Sequence, residues 1–187
     1  MTDAELIQSL GPLGPLAGVW EGDQGIDIAP TPDGTAESRF REHLVLEPFG
    51  PVKNREQHLY ALRYSTTAWR LGEDESFHEE LGYWLWDPAN KQVIRTFIVP
   101  RGVCVMAGGE VEPDARTFQL AGVDGSDVYG ALSNPFLHQS SNTDRYEVTI
   151  TINDDGSFSY LEDTILNYQP LGKIFHHEDS NTLIRVG

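Results

Sequence analysis

The sequence predicts an all-β fold: a closed, antiparallel, up-and-down β-barrel of about ten strands with a short N-terminal helix, calycin- or lipocalin-like. Three observations carry that prediction. From residue 36 onward the chain reads as short segments of alternating apolar and polar residues. Turn chemistry recurs every ~8–15 residues, too often for βαβ crossovers. A tryptophan, Trp20, sits among glycines at the start of the first such segment, in Gly18-Val-Trp-Glu-Gly22-Asp-Gln-Gly25, where a large indole can plug one end of a barrel.

Residues 2–10 predict one short helix. Thr2 followed by Glu5 forms a capping-box pattern, and Leu6, Ile7 and Leu10 make a small apolar face before Gly11 and Pro12 stop it. Strands are expected near 16–28, 36–48, 56–68, 76–86, 92–99, 103–108, 117–122, 145–152, 158–166 and 175–186. The breaks between them hold turn formers such as Pro-Thr-Pro-Asp-Gly at 30–34, Asp87-Pro-Ala-Asn90 and Asn153-Asp-Asp-Gly156. Residues 128–143 carry both Gly and Pro and read as a bent strand or a loop. With 187 residues and no linker or repeat, one domain spanning 1–187 is expected.

The charge narrows the function. Thirteen basic residues against 29 acidic ones give a net charge of −16, which argues against nucleic acid and anionic membrane as partners, since both need a basic footprint. The single cysteine, Cys104, excludes an intramolecular disulfide; within Val-Cys-Val-Met it reads as a small buried hydrophobe, and the chain as cytoplasmic. No apolar run reaches the ~20 residues of a membrane helix, and the N-terminus has no signal-peptide pattern.

A barrel of this size can hold one small hydrophobic ligand. Two faces that mix polar and aromatic groups are candidates to line it: His58 with Tyr60 and Tyr64, and His78 and Glu80 with Trp84 and Trp86. No nucleophile elbow, phosphate loop or zinc spacing is present, and adjacent Glu79 and Glu80 face opposite ways in a strand. His176-His177 opens the last strand. One ring can point inward while its neighbour meets solvent, and an inward neutral imidazole can ligate a metal or haem iron. If first and last strands pair, Arg185 can stack over Trp20, a contact worth about 0.5–2 kcal/mol.

Leu-Ala-Gly-Val-Trp-Glu-Gly at 16–22, Phe-His-Glu-Glu-Leu-Gly-Tyr at 77–83, Pro-Arg-Gly at 100–102 and the closing His-His-…-Leu-Ile-Arg-Val resemble the nitrobindin family, haem-binding barrels similar in fold to fatty-acid-binding proteins. The resemblance is collinear over most of the chain and marks Gly18, Trp20 and Gly22 as family-motif positions. It implies haem b held by a proximal histidine near the start of the last strand. It also implies an alternative activity, the isomerisation of peroxynitrite to nitrate on ferric haem; a haem-free barrel carrying a fatty-acid-like ligand is a further alternative. The chain departs from the family at two points. Gln24 stands where the motif has its last glycine. Counting back from Leu183 and Arg185 places the proximal position at Glu178 without a gap, at His177 with a one-residue gap and at His176 with two. His177 is thus the candidate iron ligand and His176 the second. Segment 128–143 reads as an insertion able to cap or shrink the cavity.

Overall fold

The computed structural model describes residues 2–187. Eleven strands form one sheet: β1 (Gly18–Thr31), β2 (Gly34–Asn54), β3 (Gln57–Arg70), β4 (Ser76–Asp87), β5 (Gln92–Val99), β6 (Val103–Glu110), β7 (Thr117–Val123), β8 (Gly130–Ser133), β9 (Ser141–Ile152), β10 (Phe158–Tyr168) and β11 (Lys173–Arg185). The ring runs β5-β4-β3-β2-β1-β11-β10-β9-β7-β6 and closes through β5–β6, giving a ten-stranded antiparallel barrel with β8 as the extra strand. The β1–β11 pairing sets Trp20 opposite Arg185 and Ile28 opposite Glu178.

The seam lies between β6 and β7, where a single pair, Gly108 opposite Ala121, joins the two strands. Segment 128–143 covers this region. Its β8 pairs with β6 over Val103–Met106, and helix α2 (Pro135–Ser140), capped by Asn134, buries Leu137. The sequence read this stretch as bent or irregular; Pro135 at the helix start and the four-residue β8 explain why neither periodicity was visible.

The base is plugged by the chain's N-terminal turn. Helix α1 (Asp3–Ser9) carries the expected Thr2–Glu5 capping box but buries no residue. The plug is instead the 3₁₀ segment Gly11–Leu16, unforeseen because Gly11 and Pro12 read as a stop. Leu10, Leu13 and Leu16 are fully buried there. Gly11 is required at its place: its φ is +56°, and a Cβ would strike the Trp86 ring.

Trp20 is 1% exposed. Its indole donates to the Leu16 carbonyl at 2.8 Å and meets Phe158 edge-on at 4.8 Å. The Arg185 guanidinium lies 4.3 Å from the Trp20 ring centroid and donates to the carbonyls of Ala17 and Pro15, tying the last strand to the plug.

Two expectations are corrected. Cys104 is exposed, because β6 turns Val103, Val105 and Ala107 toward the interior and Cys104 and Met106 outward. In a strand apolar on both faces, the period does not say which face is inside. Cys104 lies in a row of outward residues, opposite Ile98 on β5 and Leu132 on β8. His58 is also exposed, at the outer end of β3, and does not line the interior with Tyr64.

Candidate functional site

The barrel encloses a cavity of about 440 Å³, within the ~300–1,000 Å³ usual for small-molecule sites. Its walls follow from strand alternation. The lining mixes apolar side chains such as Leu16, Leu46, Phe97 and Ile150 with Arg70, Arg101, Ser141 and Thr143, and most strands carry an inward polar residue: Asp27 (β1), Glu42 (β2), Thr66 (β3), Glu80 (β4), Arg95 (β5), Tyr146 (β9), Glu162 (β10) and Asp179 (β11). The interior is therefore belted by charge.

Arg95 is the hub. It is 6% exposed. Its Nη2 donates to Glu80 Oε2 at 2.7 Å, and its Nη1 to Glu162 and to the Tyr146 hydroxyl. The guanidinium lies 4.6 Å from the Phe97 ring centroid and 5.1 Å from that of Trp84. Glu80 also accepts from the Tyr64 hydroxyl at 2.6 Å, and its Oε1 lies 3.1 Å from His78 Nε2. Burial alone would raise the Glu80 pKa; the Arg95 charge first, then His78, overcome it and hold Glu80 down to about 2. Burial opposes the charge on Arg95 too, but Glu162, the two tyrosines and Glu80 keep it protonated, well above its ordinary pKa.

Glu42 and Asp179 have no such partner. Glu42 accepts from Thr66 Oγ1 at 2.7 Å, Tyr160 Oη at 2.8 Å and Asn181 Nδ2 at 3.2 Å, all neutral donors. Burial raises its pKa. Asp179 faces the cavity, and no side chain among the described residues donates to its carboxyl. Burial, then the charges of Glu162, Glu80, Glu42 and Asp27, push it well above the usual carboxylate range.

The sign of the pH effect follows. The folded chain holds a proton on Asp179 that the unfolded chain releases near pH ~3.9, so Asp179 subtracts stability increasingly as pH rises from there to its folded pKa. Asp179→Asn should raise the melting temperature by a few degrees at pH 7 and leave it unchanged below pH ~4. An equal shift at both pH values in thermal melts would contradict this.

Each predicted site residue has a definite place. His177 is half-buried on the inward face of β11 and lines the cavity, with Nε2 2.8 Å from Asp27 Oδ1. Burial works to raise the Asp27 pKa, but the His177 hydrogen bond and charge outweigh it, helped by Ser38 and Arg70, and keep the carboxylate ionised. An ionised carboxylate only accepts, so Nε2 carries the hydrogen and Nδ1 is the ring nitrogen left for a ligand when the imidazole is neutral. His176 points outward, its Nδ1 2.7 Å from Asp163 Oδ2, which raises its pKa. Glu178, the position reached without a gap, is exposed. Gly18, Trp20, Gly22 and Arg185 belong to the base and its β1–β11 seam; a Cβ on Gly22 would lie 2.7 Å from the Thr182 carbonyl.

The site residues missed from sequence include Asp27, Glu42, Arg95, Glu162 and Asp179. Arg95 lies in Gln-Val-Ile-Arg-Thr-Phe-Ile-Val, apolar on both faces, so alternation did not assign it a side. The available signal was Phe175, His177, Asp179, Asn181 and Leu183 at every second position of β11, where apolar ends imply that the polar middle is also inward.

Among solved structures, the barrel is similar to the crystal structure of Rv2717c from M. tuberculosis, with a TM-score of 0.70 at 19% identity over 96% of this chain and 98% of that one. At that identity the likeness shows the fold. No curated protein matches the chain. Among the described residues no helix is long and apolar enough to cross a membrane, and no cluster of His, Cys, Asp and Glu could hold a bare metal ion. The family profile of the THAP4-like, heme-binding beta-barrel domain matches residues 9–185, the whole barrel and nearly the whole chain, and the chain belongs to that family.

Proposed function

We propose that the protein binds one small ligand inside the barrel, and that His177 is the residue through which it takes haem b. The observation that supports this reading is the division between adjacent histidines: His177 lines the cavity while His176 meets solvent. The donor chemistry fits. A metal-bound imidazole usually donates its other N–H to a carboxylate that fixes ring and tautomer, and Asp27 accepts from His177 in that way. Ferric haem, when bound, would supply the iron centre for the peroxynitrite isomerisation that the nitrobindin resemblance implies. The chain's own contribution is to orient the imidazole through Asp27 and keep its second nitrogen free.

Haemin titration followed by absorbance tests the proposal. Wild type and His176→Ala should develop a Soret band at equimolar haemin, and His177→Ala should lose it. Asp27→Asn should weaken binding about 10–100-fold, the usual cost of removing a carboxylate behind a ligating histidine. Equal bands in both histidine variants, or none in wild type, would contradict the haem reading.

A further inference from the structure

We propose that the end of the barrel opposite the plug, its mouth, is a carboxylate-recognition site, in which Arg101, with Arg70 beside it, captures the acidic end of an amphiphilic ligand whose apolar body lies inside. This rests on the reading that the barrel takes one ligand in its interior, and it names the chemistry of that ligand's outer end.

β5 starts at the base, where Val93 pairs with the Trp86 that packs on the plug. Arg95, Phe97, Val99 and Arg101 then line the cavity in succession, so Arg101 stands at the mouth, in the turn between β5 and β6. Segment 128–143 fixes that Pro-Arg-Gly turn from outside. Asn134 Nδ2 donates to the Arg101 carbonyl at 2.6 Å, and the Asn134 amide donates to the Gly102 carbonyl at 2.9 Å. Gly102 has a φ of +82°, and a Cβ there would lie 2.8 Å from Asn134 Nδ2. The insertion thus holds the backbone of Arg101 and leaves its guanidinium uncommitted.

The cavity's charges divide by depth and by partner. Glu42, Glu80, Glu162 and Asp179 surround Arg95 in the belt, where a ligand carboxylate would meet like charge. Nearer the mouth, His78 is bound to Glu80, and Asp27 is shared by His177, Ser38 and Arg70. Arg70 lies 3.7 Å from Asp27, with its guanidinium 4.6 Å from the Phe77 ring centroid, and stays half-exposed at the end of β3. Of the three arginines that line the cavity, Arg101 alone has no hydrogen-bond or ion-pair partner for its guanidinium among the described residues. A free guanidinium presents a fork of donors that matches the two oxygens of a carboxylate.

β3 and β5 flank β4, so Arg70 and Arg101 stand two strand spacings apart, roughly 10 Å. One carboxylate can bridge them, or two carboxylates of one ligand can share them. Ser141 and Tyr168, paired across β9 and β10, add hydroxyls at the same end. With a net charge of −16 the rest of the chain offers an anion no attraction, so the preference rests on these residues. The carboxylate can be a haem propionate or the head of a straight-chain acid, and the test separates the two.

The full chain is titrated at pH 7 with haemin, haemin dimethyl ester, dodecanoate and dodecanol, the porphyrins followed by absorbance and the others by calorimetry. Each acid that binds should do so at least about tenfold more tightly than its neutral counterpart, and the margin should shrink at high salt. Arg101→Gln, a change in an exposed turn, should melt with wild type, remove most of the margin, and leave the Soret position of bound haemin where it was; Arg101→Lys should retain part of the margin, having the charge without the fork. Acids that bind no more tightly than the ester and the alcohol, or a margin that survives Arg101→Gln, overturn the proposal; a Soret band alongside that result leaves the haem reading intact. An Arg101-dependent margin for dodecanoate with no haemin binding supports the mouth site and overturns the haem reading, whereas failure of all four probes overturns both.

Discussion

Arg95→Leu is expected to destabilise the barrel by about 3–5 kcal/mol, because it strands Glu80 and Glu162 as buried charges without a cation. For a chain of this size that corresponds to a fall of roughly 6–20 °C in melting temperature. The loss should shrink on acidification. In wild type, Glu80 is held down to about 2, so its contribution is present above its unfolded pKa of ~4.3 and fades as pH falls toward 2. In the variant the two carboxyls instead take up protons readily, and the destabilisation is greatest at neutral pH. Adding Glu80→Gln and Glu162→Gln to Arg95→Leu should restore most of the loss, since the penalty lies in the unpaired charges. Chemical denaturation at pH 4 and pH 7 measures this; a loss that is independent of pH and not rescued would show that Arg95 acts by packing alone.

Trp20→Ala should cost about 3–5 kcal/mol, the usual range for emptying a fully buried tryptophan site. The indole joins three parts of the chain: the Leu16 carbonyl, the Phe158 ring and the Arg185 guanidinium. Removing it opens the base at the seam where β1 meets β11. A double-mutant cycle with Arg185→Ala should return a coupling of about 0.5–2 kcal/mol from the stacked cation. Additive losses would mean that Arg185 acts only through its bonds to the carbonyls of Ala17 and Pro15.

The barrel was legible because its strands alternate and its turns are chemically marked. Phe40, Glu42, Leu44 and Leu46 share one face in sequence and point inward together in the structure. The Trp20 region was equally readable, since a large ring among small residues has few places to go. The belt was harder. Its members come from separate strands and are brought together only by closure; Arg95 and Glu162 are 67 residues apart, yet directly bonded. No local period contains that contact. Cys104 and His58 were misplaced for a related reason: alternation fixes two faces, but where both faces are apolar, or a strand runs past the barrel rim, it does not say which meets solvent.

The central claim is that ligands enter the barrel and meet the inward histidine. Long-range ¹H–¹⁵N correlation spectra of the imidazoles, recorded during titration with haemin, test it residue by residue. The signals of His177 and His78, which line the cavity, should shift or broaden, while those of exposed His176 and His58 stay in place. Movement of His176 or His58 with His177 and His78 unchanged would place the ligand on the outer surface and contradict the account.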